Sequence, residues 1–127
     1  MKHVVMAAMA LLLAAGCGEK KADAEKLNHA NALVNTGQYD EGLTQLEEMF
    51  KSTPDDIALR QSLVSAHMKT GNFFMFNDTL SPKVKYPKAL HHYRAVLKLA
   101  PEHADAKANA DQIVEIYAMM GRPVPEV

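Results

Sequence analysis

The sequence predicts an all-α fold, a solenoid of antiparallel helix pairs two repeats long and closed by a C-terminal capping helix. Three observations predict it. Hydrophobic residues make up 48% of the 127-residue chain and aromatics only 6%, with eight methionines and many alanines, a mixture that favours helices over sheets. Apolar residues recur at helical intervals between glycine and proline stops. Finally, the stretch Tyr39 to Pro54 shares its grammar with Tyr86 to Pro101. Each begins with tyrosine, has a small residue three positions on (Gly42, Ala89), and ends at proline. Self-similarity of this kind is the signature of a repeat architecture.

The N-terminus reads as an address. Met1-Lys2-His3 gives a short positive start, and Val4 to Ala15 then runs without a polar side chain. A run of that length falls short of the roughly 20 apolar residues that span a bilayer and matches a signal-peptide core. Small residues then precede the single cysteine in Leu13-Ala14-Ala15-Gly16-Cys17. This arrangement resembles a bacterial lipoprotein signal, with Ala14 in place of the usual leucine. The resemblance implies that residues 1–16 are removed and that the Cys17 thiol carries a diacylglyceryl group. Gly18, where aspartate would retain the protein at the inner membrane, implies the outer membrane of the cell envelope, facing the periplasm. A free buried Cys17, or a membrane helix at the start of the chain, is the alternative. Residues 17–22 form the lipidated end and a short polar linker.

The domain proper covers residues 23–120. A first helix near Ala24 to Thr36 carries Leu27, Ala30, Leu33 and Val34, and Gly37 ends it through its access to the left-handed conformation. The second helix places Tyr39, Leu43, Leu46, Met49 and Phe50 on one face, with Asp40 and Glu41 at its positive end. From Asp23 to Asp56 is 34 residues, and this unit resembles a tetratricopeptide repeat, in which Gly42 holds the small-residue position that lets paired helices approach. A third helix starts near Pro54-Asp55-Asp56 with Ile57, Leu59 and Leu63, and its Lys69-Thr70-Gly71 parallels Asn35-Thr36-Gly37.

The next tyrosine of the pattern is delayed by 13 residues, an insertion at 72–84. Phe73 to Asn77 are expected to extend the third helix and Ser81 to Lys85 to form a loop, with Pro87 opening the fourth helix. Glu102 to Met120 reads as the capping helix, with Ala106, Ala110, Ile113, Val114 and Tyr117 inward. Residues 121–127 are expected to be an extended tail. Lys26, Met49, Val64 and Val96 depart from the repeat's usual residue types.

Chemistry is sparse. Net charge is −1 and the pI is near 6.6, so no basic field points to nucleic acid. One cysteine excludes an internal disulfide and a CxxC pair. There is no phosphate loop, no HExxH and no nucleophile elbow, so neither an enzyme nor a cofactor is expected. Six histidines lack metal-ligand spacing; His91 and His92 are adjacent and diverge on a helix, while His29 and His67 fall at inward or half-buried positions. The triplet Asn77-Asp78-Thr79 matches a glycosylation acceptor that a bacterial export signal leaves idle.

The repeat resemblance implies a protein or peptide partner on the concave face lined by first helices. By position that face presents Leu27, Asn31 and Val34, then Gln61, Ser65 and Met68, then Gln112 and Glu115. Carboxamides can pair with both the donors and the acceptors of an extended peptide. Leu27 stands where chaperone adaptors of this family carry a lysine, so a carboxylate clamp is not implied. Phe73, Phe74, Met75 and Phe76 are the second candidate surface. Four consecutive large apolar residues cannot share one helix face, because successive side chains turn by about 100°. They either bury against Leu80, Val84 and Tyr86 or meet a partner, with a structural homo-oligomer as the alternative function.

Overall fold

A computed structural model describes residue 18 and residues 20–127. The signal segment 1–16 and Cys17 lie outside the described residues. The described chain is a five-helix bundle in which successive helices pack as pairs: α1 (Ala24–Asn35), α2 (Tyr39–Ser52), α3 (Ile57–Met75), α4 (Pro82–Leu99) and α5 (Ala104–Met119).

Local sequence sets each boundary. Asp23 caps α1 by accepting the Lys26 N–H at 3.0 Å, and Asp56 caps α3 by accepting the Leu59 N–H at 3.0 Å. Asp56 also accepts the Ala22 N–H at 2.7 Å, which fixes the linker beside the start of α3. These bonds, from Leu59 first and Ala22 next, hold its carboxyl below the usual aspartate value. At the other ends, α1 and α5 close alike. Gly37 (φ 86°) and Gly121 (φ 64°) are left-handed, and the following N–H groups reach back from Gln38 to Leu33 O at 2.9 Å and from Arg122 to Tyr117 O at 3.0 Å. The glycine N–H groups bond Val34 O and Ala118 O, so orphan carbonyls at both ends are satisfied.

α3 is the wall shared by two cores. Ala30, Val34, Leu43 and Leu46 pack on Leu59, Leu63 and Ala66 in the first core. Met75 joins Ala89, Leu90, Tyr93, Val96, Ala106 and Ile113 in the second. Two glycines permit the close crossings. A Cβ on Gly42 would lie 2.5 Å from Val34 Cγ2 and 2.9 Å from the Ala30 carbonyl oxygen, and one on Gly71 would lie 2.8 Å from the Tyr93 ring. Gly42→Ala gains about 1 kcal/mol of helix propensity and meets backbone that cannot move aside. A net loss of about 1–2 kcal/mol is expected in urea unfolding.

After Gly71 the third helix continues as expected but stops at Met75, short of Asn77. Ser81 to Lys85 is not a loop, because α4 begins at Pro82 with Ser81 as its N-cap, and Ser81 O accepts from both Val84 N and Lys85 N. Proline at the first helical position sacrifices no bond, since that N–H is unpaired in any helix. Pro87 therefore lies inside α4 and does not open it. It leaves only the carbonyl of exposed Lys83 without its usual partner, which water can satisfy. The delayed tyrosine is thus accommodated by two long helices and a six-residue connection. Gly71, despite its likeness to Gly37, is an interior residue of α3.

Candidate functional site

α1 and α3 run side by side in the same direction, with Asn31 opposite Ser62 and Asn35 opposite Lys69. Asn31 Nδ2 donates to Ser62 Oγ at 3.0 Å, and Lys69 Nζ donates to Asn35 Oδ1. Between them lies an open groove of about 490 Å³ with a polar rim. Its walls include Asn28, Asn31 and Asn35 from α1 and Gln61, Ser62 and Ser65 from α3. Small residues make this possible: Ala58 and Ala66 face it from α3, where larger side chains would fill it.

A second groove shares Gln61 and Ser65 with the first and continues across α3 toward the α4–α5 turn. It is more apolar, with Val64, Met68 and Leu99 on its lining and Arg60 and Asp105 at its edges. Arg60 is steadied by donating to the Pro54 carbonyl at 3.2 Å and by lying 5.7 Å from the Phe50 ring centre.

The concave-face residues expected from the sequence fall in three groups. Leu27, Asn31, Gln61 and Ser65 line the first groove, and Met68 lines the second. Val34 also borders the first, but it is 4% exposed and serves the core beneath. Gln112 and Glu115 are exposed on α5 and line neither groove. Asn28, Asn35, Ser62 and Lys69 were missed. The signal was present as two polar stripes at helical spacing, 28-31-35 on α1 and 62-65-69 on α3.

Ser65, His103 and Asp105 share the second groove, a set of residue types familiar from hydrolases. His103 has a structural role here. His103 Nδ1 accepts the Ala106 N–H at 3.2 Å as the cap of α5, which occupies the lone pair a general base would use.

The four residues of the second candidate surface separate as helix geometry requires. Met75 is buried, Phe74 is half-buried, and Phe73 and Phe76 are 45% and 63% exposed. Phe74 and Tyr86 join the second core, whereas Val84 stays exposed. Phe73 packs on Tyr39 of α2, with ring centres 5.3 Å apart.

The histidines hold a feature that spacing did not disclose. His29 is exposed and not inward, because it sits on the α1 face turned from both α2 and α3. His67, 5% exposed, places Nδ1 3.0 Å from Nδ1 of His92, so one ring donates and the other accepts. Burial lowers both to about 4, helped by His91 at His67 and by His67, His91 and Lys88 at His92. His92 also stacks on Phe74 at 5.9 Å with planes 6° apart. No group of three or more metal-ligating side chains occurs among the described residues. No helix among them is long and apolar enough to cross a membrane. Comparison with known proteins finds no matching family model, no matching characterised protein and no matching solved structure, so the functional reading rests on the chemistry of the grooves.

Proposed function

We propose that this chain is a lipid-anchored tetratricopeptide-like module of the bacterial cell envelope that binds a peptide or envelope protein. The groove between α1 and α3 is the binding surface. The observation that carries the reading is the convergence of Asn31, Gln61 and Ser65 on one open groove whose rim is amide and hydroxyl. Such groups satisfy an extended backbone in either sense, donating to carbonyls and accepting from N–H groups. The adjoining apolar lining of Val64, Met68 and Leu99 takes one side chain of the same segment. Binding without catalysis agrees with the engagement of His103 in a helix cap.

An anchor at Cys17 keeps the domain close to the bilayer. Only four residues separate it from Ala22, which Asp56 holds, and the five from Gly18 to Ala22 span about 18 Å at most. The far end of α3, with Phe76, then points away from the membrane. Crosslinked pull-down from intact cells tests both parts. Asn31→Ala/Gln61→Ala should reduce partner recovery about tenfold through lost hydrogen bonds, while Cys17→Ala should release the chain from the membrane fraction. Undiminished recovery with the groove variant rejects the groove; unchanged sedimentation with Cys17→Ala rejects the anchor.

A further inference from the structure

Away from the grooves, charge is divided between two helices. α2 exposes Asp40, Glu41, Glu47 and Glu48 against one cation, Lys51. α4 carries Lys83, Lys85, Lys88, Arg94 and Lys98 without a single carboxylate. In a chain of net charge −1 this is a separation by position, not by composition. The four lysines of α4 make no ion pair among the described residues. Lys85 and Lys88 lie instead over the rings of Tyr86 and Phe74, at 5.2 and 5.0 Å.

The two helices border one face. His67 of α3 lies between them, 3.8 Å from a Glu47 oxygen on one side and 3.0 Å from His92 on the other. At one end of the seam Phe73 touches Tyr39 of α2 and Phe74 lies under Lys88 of α4. These pairs also set direction: α2 and α4 both run opposite to α3, hence parallel to one another. Asp40 and Glu41 are level with Lys85 and Lys88, and Glu47 is level with His91 and His92.

We infer that this face is self-complementary and pairs with a second copy of the chain about a two-fold axis parallel to α2 and α4. That axis exchanges left and right and preserves height, so the acidic α2 of each copy lies on the basic α4 of the other. An in-plane axis at right angles to the helices would place α2 on α2 and α4 on α4, opposing like charges. A uniformly anionic surface is a poorer fit, since α2 would repel it while α4 attracted it. Exposed Phe73 lies on the seam near the axis and meets its symmetry mate there, which supplies an aromatic centre to a charged rim. Two helices of this length and about 10 Å diameter present a face commensurate with the roughly 800 Å² per partner of a stable interface. The arrangement puts both N-terminal ends on one side, as two anchors in one bilayer require, but does not depend on an anchor.

Sedimentation of the full chain in density-matched detergent tests the pairing, with helix content followed by circular dichroism. At low salt and tens of micromolar protein the expected mass is that of a dimer. Glu41→Lys/Glu47→Lys and Lys88→Glu/Lys98→Glu should each weaken pairing by roughly tenfold or more. An equimolar mixture of the two variants, or one chain carrying all four changes, should pair again. A monomeric wild type, or a dimer indifferent to both reversals, overturns the inference. So does a monomer that binds phosphatidylglycerol vesicles and loses them on Lys88→Glu/Lys98→Glu, which would assign α4 to a lipid surface. Asn31→Ala/Gln61→Ala should leave the mass unchanged, so failure of the groove and failure of the dimer are distinguishable.

Discussion

Tyr93→Ala should lower the unfolding free energy by about 3–5 kcal/mol, the range for removing a large buried aromatic. For a chain of this size that is a substantial part of total stability. Tyr93 is fully buried in the second core and is the largest such side chain. Its ring lies against Gly71, where a Cβ would come within 2.8 Å, so α3 and α4 are fitted to one another around it. Its hydroxyl donates to Asn72 Oδ1 at 2.7 Å, and Asn109 Nδ2 of α5 approaches the same oxygen at 3.4 Å. One phenol therefore ties three helices. Burial pushes it up to about 12, so it remains a donor across the physiological range. Tyr93→Phe keeps the packing and removes the shorter of the two hydrogen bonds to the Asn72 oxygen, leaving it only the Asn109 donor at 3.4 Å, for an expected loss of about 1 kcal/mol. Urea unfolding of the three chains separates the terms. Equal stability for Tyr93→Phe and Tyr93→Ala would mean that the hydroxyl network, and not the packed ring, holds α3 to α4.

Much of this architecture is legible in the residues. Spacing and punctuation place four of the five helices to within a few positions and open the fourth five residues late, and the repeat resemblance points to Gly42 as a close-approach residue before any contact is seen. What misleads is the status of individual glycines and prolines. Gly37 and Gly71 look equivalent in sequence, yet Gly37 is a left-handed stop and Gly71 is helical and opposite a tyrosine ring. That the third helix continues past Gly71 was expected from Phe73 to Asn77, but its contact with Tyr93, distant along the chain, was not. Pro82 and Pro87 pose the same problem. Either can open a helix, and the choice falls to Pro82 because it leaves Val84 and Lys85 bonded to Ser81 while Tyr86 and Ala89 reach the core. The groove was half legible: Asn31, Gln61 and Ser65 were expected from the repeat resemblance, whereas Asn28, Asn35, Ser62 and Lys69 show in the sequence only as polar stripes that the α1–α3 register brings together. The His67–His92 contact was illegible, since it joins residues 25 apart on different helices.

Acidification from pH 6.5 to 4 should cost this fold on the order of 3 kcal/mol through that histidine pair. Both rings are lowered from 6.5 to about 4, so between those values the unfolded chain binds more protons than the folded one. Stability from this source is full above pH 6.5 and is lost as pH falls toward 4. The loss comes in two stages. A first proton leaves an Nδ1–H facing an Nδ1 lone pair, so the bond survives with added charge; a second sets N–H against N–H across 3.0 Å. The charged groups around the pair act in opposite senses. Glu47 of α2, 3.8 Å from His67 Nε2, favours a proton, while His91 and Lys88 of α4 oppose one. Asp56 does not contribute in this window, because its carboxyl lies below its ordinary value of 3.8 and its share is lost only at still lower pH. His67→Phe/His92→Leu should therefore flatten the profile of urea unfolding between pH 6.5 and 4 and leave the fall below pH 4 in place. A variant profile parallel to wild type would assign the acid sensitivity to carboxylates. A flattened one assigns it to the buried His67–His92 contact between α3 and α4.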